Sequence, residues 1–127
     1  MKDFMKDVKT IAVLGLSPDK SKASHIVAKY LQESGFKIIP IYPKEDFILN
    51  EKVFRTLEDV DENIDLLVLF RKGEVASEIF DTLLKKGIKR FWLQLGIKNE
   101  AVKAKCLENN TAFVQDKCIM QELKALK

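Results

Sequence analysis

Apolar positions along the chain follow two alternating patterns. One is the unbroken apolar run: "TIAVLGL" (Thr10–Leu16), "KIIPIYP" (Lys37–Pro43), "IDLLVLF" (Ile64–Phe70), "KRFWLQL" (Lys89–Leu95) and "TAFVQ" (Thr111–Gln115). Each run predicts a strand; the continuous, β-branched Thr10–Leu16 is as expected of a strand buried on both faces, and Ile64–Phe70 is another uninterrupted run. The other pattern is helical. Ile26, Val27, Tyr30 and Leu31 recur within Lys22–Ser34, and Val75, Ile79, Leu83 and Leu84 within Glu74–Lys86. Gly35 and Gly87 stop these two helices. A third helix is predicted over Asn99–Asn109, capped by Asn99, and a last one over Cys118–Leu126. Lys2–Val8 predicts a short lead-in helix. Between Glu45 and Thr56 the pattern is weaker: a short extended piece turning at Asn50, then a single helical turn in "TLEDV" with Thr56 as its cap. Pro40 predicts a strand that is bulged or poorly paired at that point.

Strict alternation of strand and helix implies right-handed crossovers and a parallel sheet. The expectation is one doubly wound α/β domain over residues 1–127. It has a five-stranded, mostly parallel sheet with helices on both faces. The predicted strand order is 3-2-1-4-5, with the switch point between the first and fourth strands.

Composition narrows the partners. Hydrophobic residues make up 46% and charged residues 32%, the balance of an ordinary globular chain. A net charge of +3, from 22 basic and 19 acidic residues, is too small and too dispersed to argue for nucleic acid or a membrane surface. No apolar run approaches the ~20 residues that span a bilayer, and "MKDFMKDVKT" has no apolar stretch of signal-peptide length. Two cysteines, Cys106 and Cys118, and one histidine, His25, build neither a disulfide framework nor a metal cluster. A cytoplasmic, reducing setting is expected.

In a sheet of this kind ligands sit beyond the carboxyl ends of the strands. Four loops leave those ends. The first, "GLSPDKSKAS", runs from Gly15 through Ser17, Ser21, Lys22 and Ser24 into a helix. Free amides at a helix start favour phosphate, and serine hydroxyls and Lys22 would add to them. Ser21 or Ser24 can equally be a plain helix cap, and Gly15 a plain turn residue. The second loop carries Tyr42, Pro43 and Lys44. A NAD-binding domain places a carboxylate here; this chain has none before Glu45. Lys44 instead suits a ribose phosphate, as in NADP or coenzyme A, or is simply solvated. In the third loop Phe70 either stacks on a base or packs into the core, and Arg71 suits a phosphate. In the fourth, Gln94 and Gly96 can approach a ligand closely.

Taken in order, G-x-S-P, Y-P-K, F-R, W-L-Q-x-G and D-x-C make the chain resemble the small single-domain CoA-binding proteins from about Ile11 to Ile119. These are similar to the N-terminal domain of the succinyl-CoA synthetase α subunit. The resemblance implies a Rossmann-like fold that holds coenzyme A or an acyl-CoA. It places the first loop, Gly15 to Ser24 with Leu16 and Pro18, at the pyrophosphate. It places Tyr42, Pro43 and Lys44 near the ribose phosphate, and Phe70 and Arg71 beside the nucleotide. The family often has arginine and proline where this chain has Lys22 and Ala23, and a terminal histidine where it has Leu123.

No catalytic set emerges. Succinyl-CoA synthetase works through a phosphorylated histidine of a second domain, to which no stretch here corresponds. His25 is read as an exposed or half-buried helix residue. Cys118 is read as a structural cysteine. Its alternative is a thiol, activated by the helix start and Lys117, that exchanges with oxidised CoA. The leading function is therefore a non-catalytic binding, carrier or regulatory module for CoA or an acyl-CoA, with a protein partner possible. The alternatives are an NADP-binding oxidoreductase or redox sensor, and a protein-interaction subunit with a vestigial pocket.

Overall fold

A computed structural model describes residues 1–127. The chain runs α1 (Lys2–Met5), β1 (Thr10–Leu14), α2 (Ala23–Glu33), β2 (Lys37–Ile41), β3 (Phe47–Ile48), β4 (Glu51–Lys52), a 3-10 turn (Leu57–Asp59), β5 (Leu66–Leu69), α3 (Gly73–Lys85), β6 (Arg90–Leu93), α4 (Glu100–Glu108), β7 (Ala112–Val114) and α5 (Ile119–Lys124). The five long runs become one parallel sheet, β2-β1-β5-β6-β7. The weak region folds into the small antiparallel hairpin β3–β4, turning through Leu49 and Asn50 at φ 55° and 62°. No helix is long and apolar enough to cross a membrane.

The unbroken apolar runs are explained by two cores. Within β1, Ala12 and Leu14 face α3 and α4, where Phe80, Leu83, Val102 and Cys106 pack. Ile11 and Val13 face the opposite layer, with Val27, Ala28 and Leu31 of α2, Ile119 of α5 and Trp92. A strand covered on both sides has no solvent face on which to place polar residues. Thr56 and Asn99 cap as expected: Thr56 Oγ1 accepts from Asp59 N–H and Asn99 Oδ1 from Val102 N–H.

The class and the parallel sheet are as the pattern predicts; the strand order is corrected. Counted along the chain, the five main strands lie 2-1-3-4-5, not 3-2-1-4-5, and the switch point falls between the first and third, β1 and β5. The reason is Pro40. Its carbonyl accepts from Phe54 N–H (3.0 Å) on the outer side of β2, so its missing N–H faces that same side. A full strand paired there would lose a ladder bond. That side takes only the one-residue bridge of Ile41 with Phe54, while β5, fully buried, takes the place beside β1.

The amino ends of the strands are tied by polar groups. The Asp65 carboxylate accepts from the N–H groups of Lys9 and Thr10, each at 2.9 Å. Arg90 donates to the carbonyls of Phe4 and Lys6, both at 2.7 Å, and so fastens α1 to the sheet. Phe4 meets Trp92 edge to face at 5.4 Å.

Gly73 opens α3 against the backbone of Lys98. A Cβ there would lie 2.2 Å from the Lys98 carbonyl oxygen, and the Gly73 carbonyl accepts from Asn99 Nδ2 (2.8 Å). Gly73→Ala is expected to cost about 1–3 kcal/mol by forcing α3 away from the α4 cap. A urea melt checks it; an unchanged midpoint would sink this account.

Candidate functional site

Three strands, β2, β1 and β5, end side by side. Their carboxyl ends frame a cleft of about 280 Å³ lined by Leu14, Gly15, Ile41, Tyr42, Pro43, Arg55 and Arg71. Gly15 shapes it. The residue sits at φ 93°, and its N–H donates to the Ile41 carbonyl (2.9 Å). A Cβ on it would lie 3.0 Å from the Phe70 carbonyl oxygen and 3.1 Å from the Arg71 stem. Both the conformation and the closeness require glycine. Because nothing fills that space, the chain leaving β5 lies directly over the turn leaving β1, and Arg71 reaches the cleft.

The first loop is held together by its own side chains. Ser17 N–H donates to Ser24 Oγ (2.9 Å), and Asp19 N–H to Ser17 Oγ (3.0 Å). Ser21 donates both its N–H and its hydroxyl to the Asp19 carboxylate, at 2.9 and 2.8 Å. These two bonds hold the Asp19 carboxyl below its ordinary pKa. Neither Ser21 nor Ser24 caps α2; the cap position is Lys22, which offers no side-chain bond. The N–H groups of Ala23 and Ser24 therefore open α2 without a partner. The Lys22 ammonium and Pro18 lie outside this network, Lys22 exposed and Pro18 half-buried.

His25 corrects the sequence reading: it is neither exposed nor half-buried but buried, at 6% exposure. Its Nδ1 lies 2.8 Å from the Ser17 carbonyl oxygen. A carbonyl only accepts, so Nδ1 carries the proton of this bond. The ring thus braces the loop from inside.

The second loop depends on a residue that the sequence reading passed over. Arg55 Nη1 donates to the carbonyls of Tyr42 (3.3 Å), Lys44 (3.1 Å) and Glu45 (2.7 Å). One guanidinium thus gathers three carbonyls of the turn, where Glu45 stands at φ 69°. Arg55 also lies 3.9 Å from exposed Asp46, a pairing of little energetic weight. The available signal was slight. Arg55 follows the apolar pair Val53–Phe54, and only the bridge from Phe54 to Ile41 carries it to the cleft. Lys44 itself is exposed on this loop.

The remaining candidates separate. Phe70 is half-buried against the layer of α2 and α5, and Arg71 is exposed over Gly15. Leu16 is fully buried, so it offers the cleft only backbone. Gln94 is buried at 3% exposure, and its Oε1 accepts from Ile119 N–H (2.9 Å); it anchors the start of α5. Gly96, at φ 85°, donates its N–H to the Asp116 carboxylate (2.7 Å). The structure therefore gathers Gly15, Tyr42, Pro43 and Arg71 at one cleft. It sets Ser17, Pro18, Lys22 and Ser24 in the loop that follows Gly15, and Lys44 in the loop that follows Pro43. The side chains of Leu16 and Gln94 are committed inside.

Cys118 is half-buried and precedes the six-residue α5. Cys106 is fully buried under α4, and burial pushes its thiol up to about 11.

A family model described as a CoA binding domain matches residues 9–124. The Bacillus subtilis protein YneT, itself uncharacterized, is 33% identical over 119 residues, covering 94% of this chain and 88% of YneT. An ADP-forming acetate–CoA ligase of Methanocaldococcus jannaschii is 33% identical over 81 residues, which are 64% of this chain but 12% of the ligase. Among solved structures, cell-free ID.343 from Thermus thermophilus superposes with a TM-score of 0.93 at 30% identity, covering 99% of this chain and 96% of that one. A hypothetical protein from Pyrococcus horikoshii OT3 gives 0.92 at 30% identity, covering 98% and 88%.

With a thiol near 11, only about one Cys106 in a thousand is a thiolate at pH 8. Native alkylation at that pH is expected to leave Cys106 unmodified until the chain is unfolded in denaturant. Peptide mass mapping reads the result, and native labelling of Cys106 would contradict the burial described.

Proposed function

We propose, because the chain belongs to the CoA-binding domain family, that the cleft at the ends of β1, β2 and β5 binds coenzyme A or an acyl-CoA, and that the protein carries, senses or sequesters this cofactor without converting it. The observation that carries the reading is the cleft's lining: two arginines and no carboxylate. A ribose diol is usually held by a carboxylate at the end of the second strand, whereas a phosphorylated ribose calls for cations. At about 280 Å³ the cleft is at the small end of ligand sites. It suits the nucleotide end of such a cofactor, with the remainder lying over the neighbouring loops.

Each candidate takes a role in this reading. The unpaired N–H groups of Ala23 and Ser24 face the pyrophosphate from the start of an eleven-residue helix, with Lys22 beside them. Arg71 pairs with a phosphate over Gly15. Lys44 takes the ribose 3′-phosphate, on a loop held in shape by Arg55. Tyr42, Pro43 and Phe70 offer apolar surface to the base. Leu16, Ser17, Pro18 and Gly96 contribute through backbone and close approach. Gln94 acts indirectly, through the position of α5. The absence of conversion is supported by where the reactive groups are spent. His25 holds Ser17, Asp19 holds Ser21 and Cys106 lies in the core.

Thermal shift with CoA, acetyl-CoA, NAD, NADP and ATP tests this. CoA at ~100 times its dissociation constant should stabilise the chain by roughly 2.7 kcal/mol. Stabilisation by NADP and not by CoA would overturn the reading in favour of the NADP alternative. No shift with any nucleotide would favour an interaction subunit.

A second measurement addresses Lys44. Lys44→Ala is expected to weaken CoA about tenfold, the scale of one exposed charge-assisted phosphate contact, and to leave dephospho-CoA unchanged. Equal losses for the two ligands, read by calorimetry, would remove Lys44 from the 3′-phosphate.

A further inference from the structure

We propose that the groove between α2 and α5 is a second ligand site, which takes a phosphate monoester of a small organic molecule, with the free ring nitrogen of His25 as its polar anchor. The groove shares no residue with the cleft at the ends of β1, β2 and β5, so the proposal stands whether or not that cleft holds CoA.

The buried histidine supplies the first argument. His25 is only 6% exposed, and its ring lines this groove of about 390 Å³. Nδ1 donates its proton to the Ser17 carbonyl (2.8 Å), which leaves a lone pair on Nε2. Nε2 has no partner within the protein, yet it is not sealed from solvent. A polar atom so placed is satisfied by what enters the groove.

Charge supplies the second. Lys20, Lys29 and Lys124 line the same groove, and none of the three has a carboxylate within ion-pair distance. Lys29 follows His25 by one helical turn and shares its face of α2. Lys124 reaches in from α5, its ammonium 5.3 Å from the centre of the Tyr30 ring, and Lys127 lies 5.8 Å from the same ring. Cations gathered in this way repel one another, and an anion relieves the repulsion. The groove's one carboxylate, Glu33, stands two turns further along α2, roughly 12 Å from His25 along the axis.

Together these groups select the ligand. Nε2 accepts a hydrogen bond, whereas the ammonium groups donate. A phosphate monoester meets both demands. With a second pKa of about 6 it keeps its O–H in part at neutral pH, and its other oxygens accept from lysine. A carboxylate at that pH only accepts. Ile26, Tyr30 and Met120 give the organic remainder an apolar wall, in a groove of the size that small-molecule sites have. Because the ring that meets the phosphate also braces the first loop, hydrogen bonds at its two nitrogens strengthen each other.

His25 is the chain's one histidine, so a long-range nitrogen–proton NMR spectrum shows a single imidazole. Inorganic phosphate, titrated into the full chain at neutral pH and constant ionic strength, is the probe. The expected result is a saturable shift of the Nε2 resonance in the millimolar range, absent with chloride and with acetate. Lys29→Glu and Lys124→Glu should each raise the apparent dissociation constant about tenfold. Arg71→Ala, in the cleft, should leave it unchanged. A resonance that does not move overturns the proposal, as does a shift indifferent to both lysine reversals or an equal shift with acetate. A response lost with Arg71→Ala overturns it too, by placing the phosphate in the cleft.

Discussion

The arrangement turns on one close contact: the backbone leaving β5 lies against the turn leaving β1, with only a hydrogen on Gly15 between them. That contact lets β1 stand between β2 and β5 while all three end together. It also brings Arg71 over the turn and makes the cleft narrow. A side chain at Gly15 would have to push two strand exits apart, and the strands behind them are fully buried on both faces. Interiors packed in this way do not yield gradually. The cleft is therefore a property of the sheet as a whole.

Around that contact the loops are kept in shape by local hydrogen bonds. Ser17, Asp19, Ser21, Ser24 and His25 close the first loop on itself. Arg55 does the same for the second through three carbonyls. Loops fixed before a ligand arrives lose less entropy when it binds. The serine hydroxyls then serve the loop, and the charge around the site comes from lysines and arginines that remain exposed.

Much of this was legible in the sequence, for a physical reason: a central strand covered on two sides must be apolar nearly throughout, as β1 and β5 are, and the strict alternation of such runs with helical periods leaves little choice of class. The caps at Thr56 and Asn99 were legible because a single side chain makes each of them. The strand order was missed although its signal was present. Pro40 belongs on an edge, and treating it as a local bulge hid the consequence for the whole sheet. Arg55, His25 and Gln94 were harder. Their roles come from partners that folding brings near: the carbonyls of residues 42–45, the Ser17 carbonyl, and the N–H of Ile119. No local pattern marks a side chain that acts on distant backbone.

Arg90 holds the first turn of chain to the sheet at the ends of the strands where Asp65 also sits, whereas the cleft opens at their other ends. The molecule thus has two poles, one fastened and one open. A surface linkage or label joined through the α1 end would therefore leave the cleft facing solution, free of the tether.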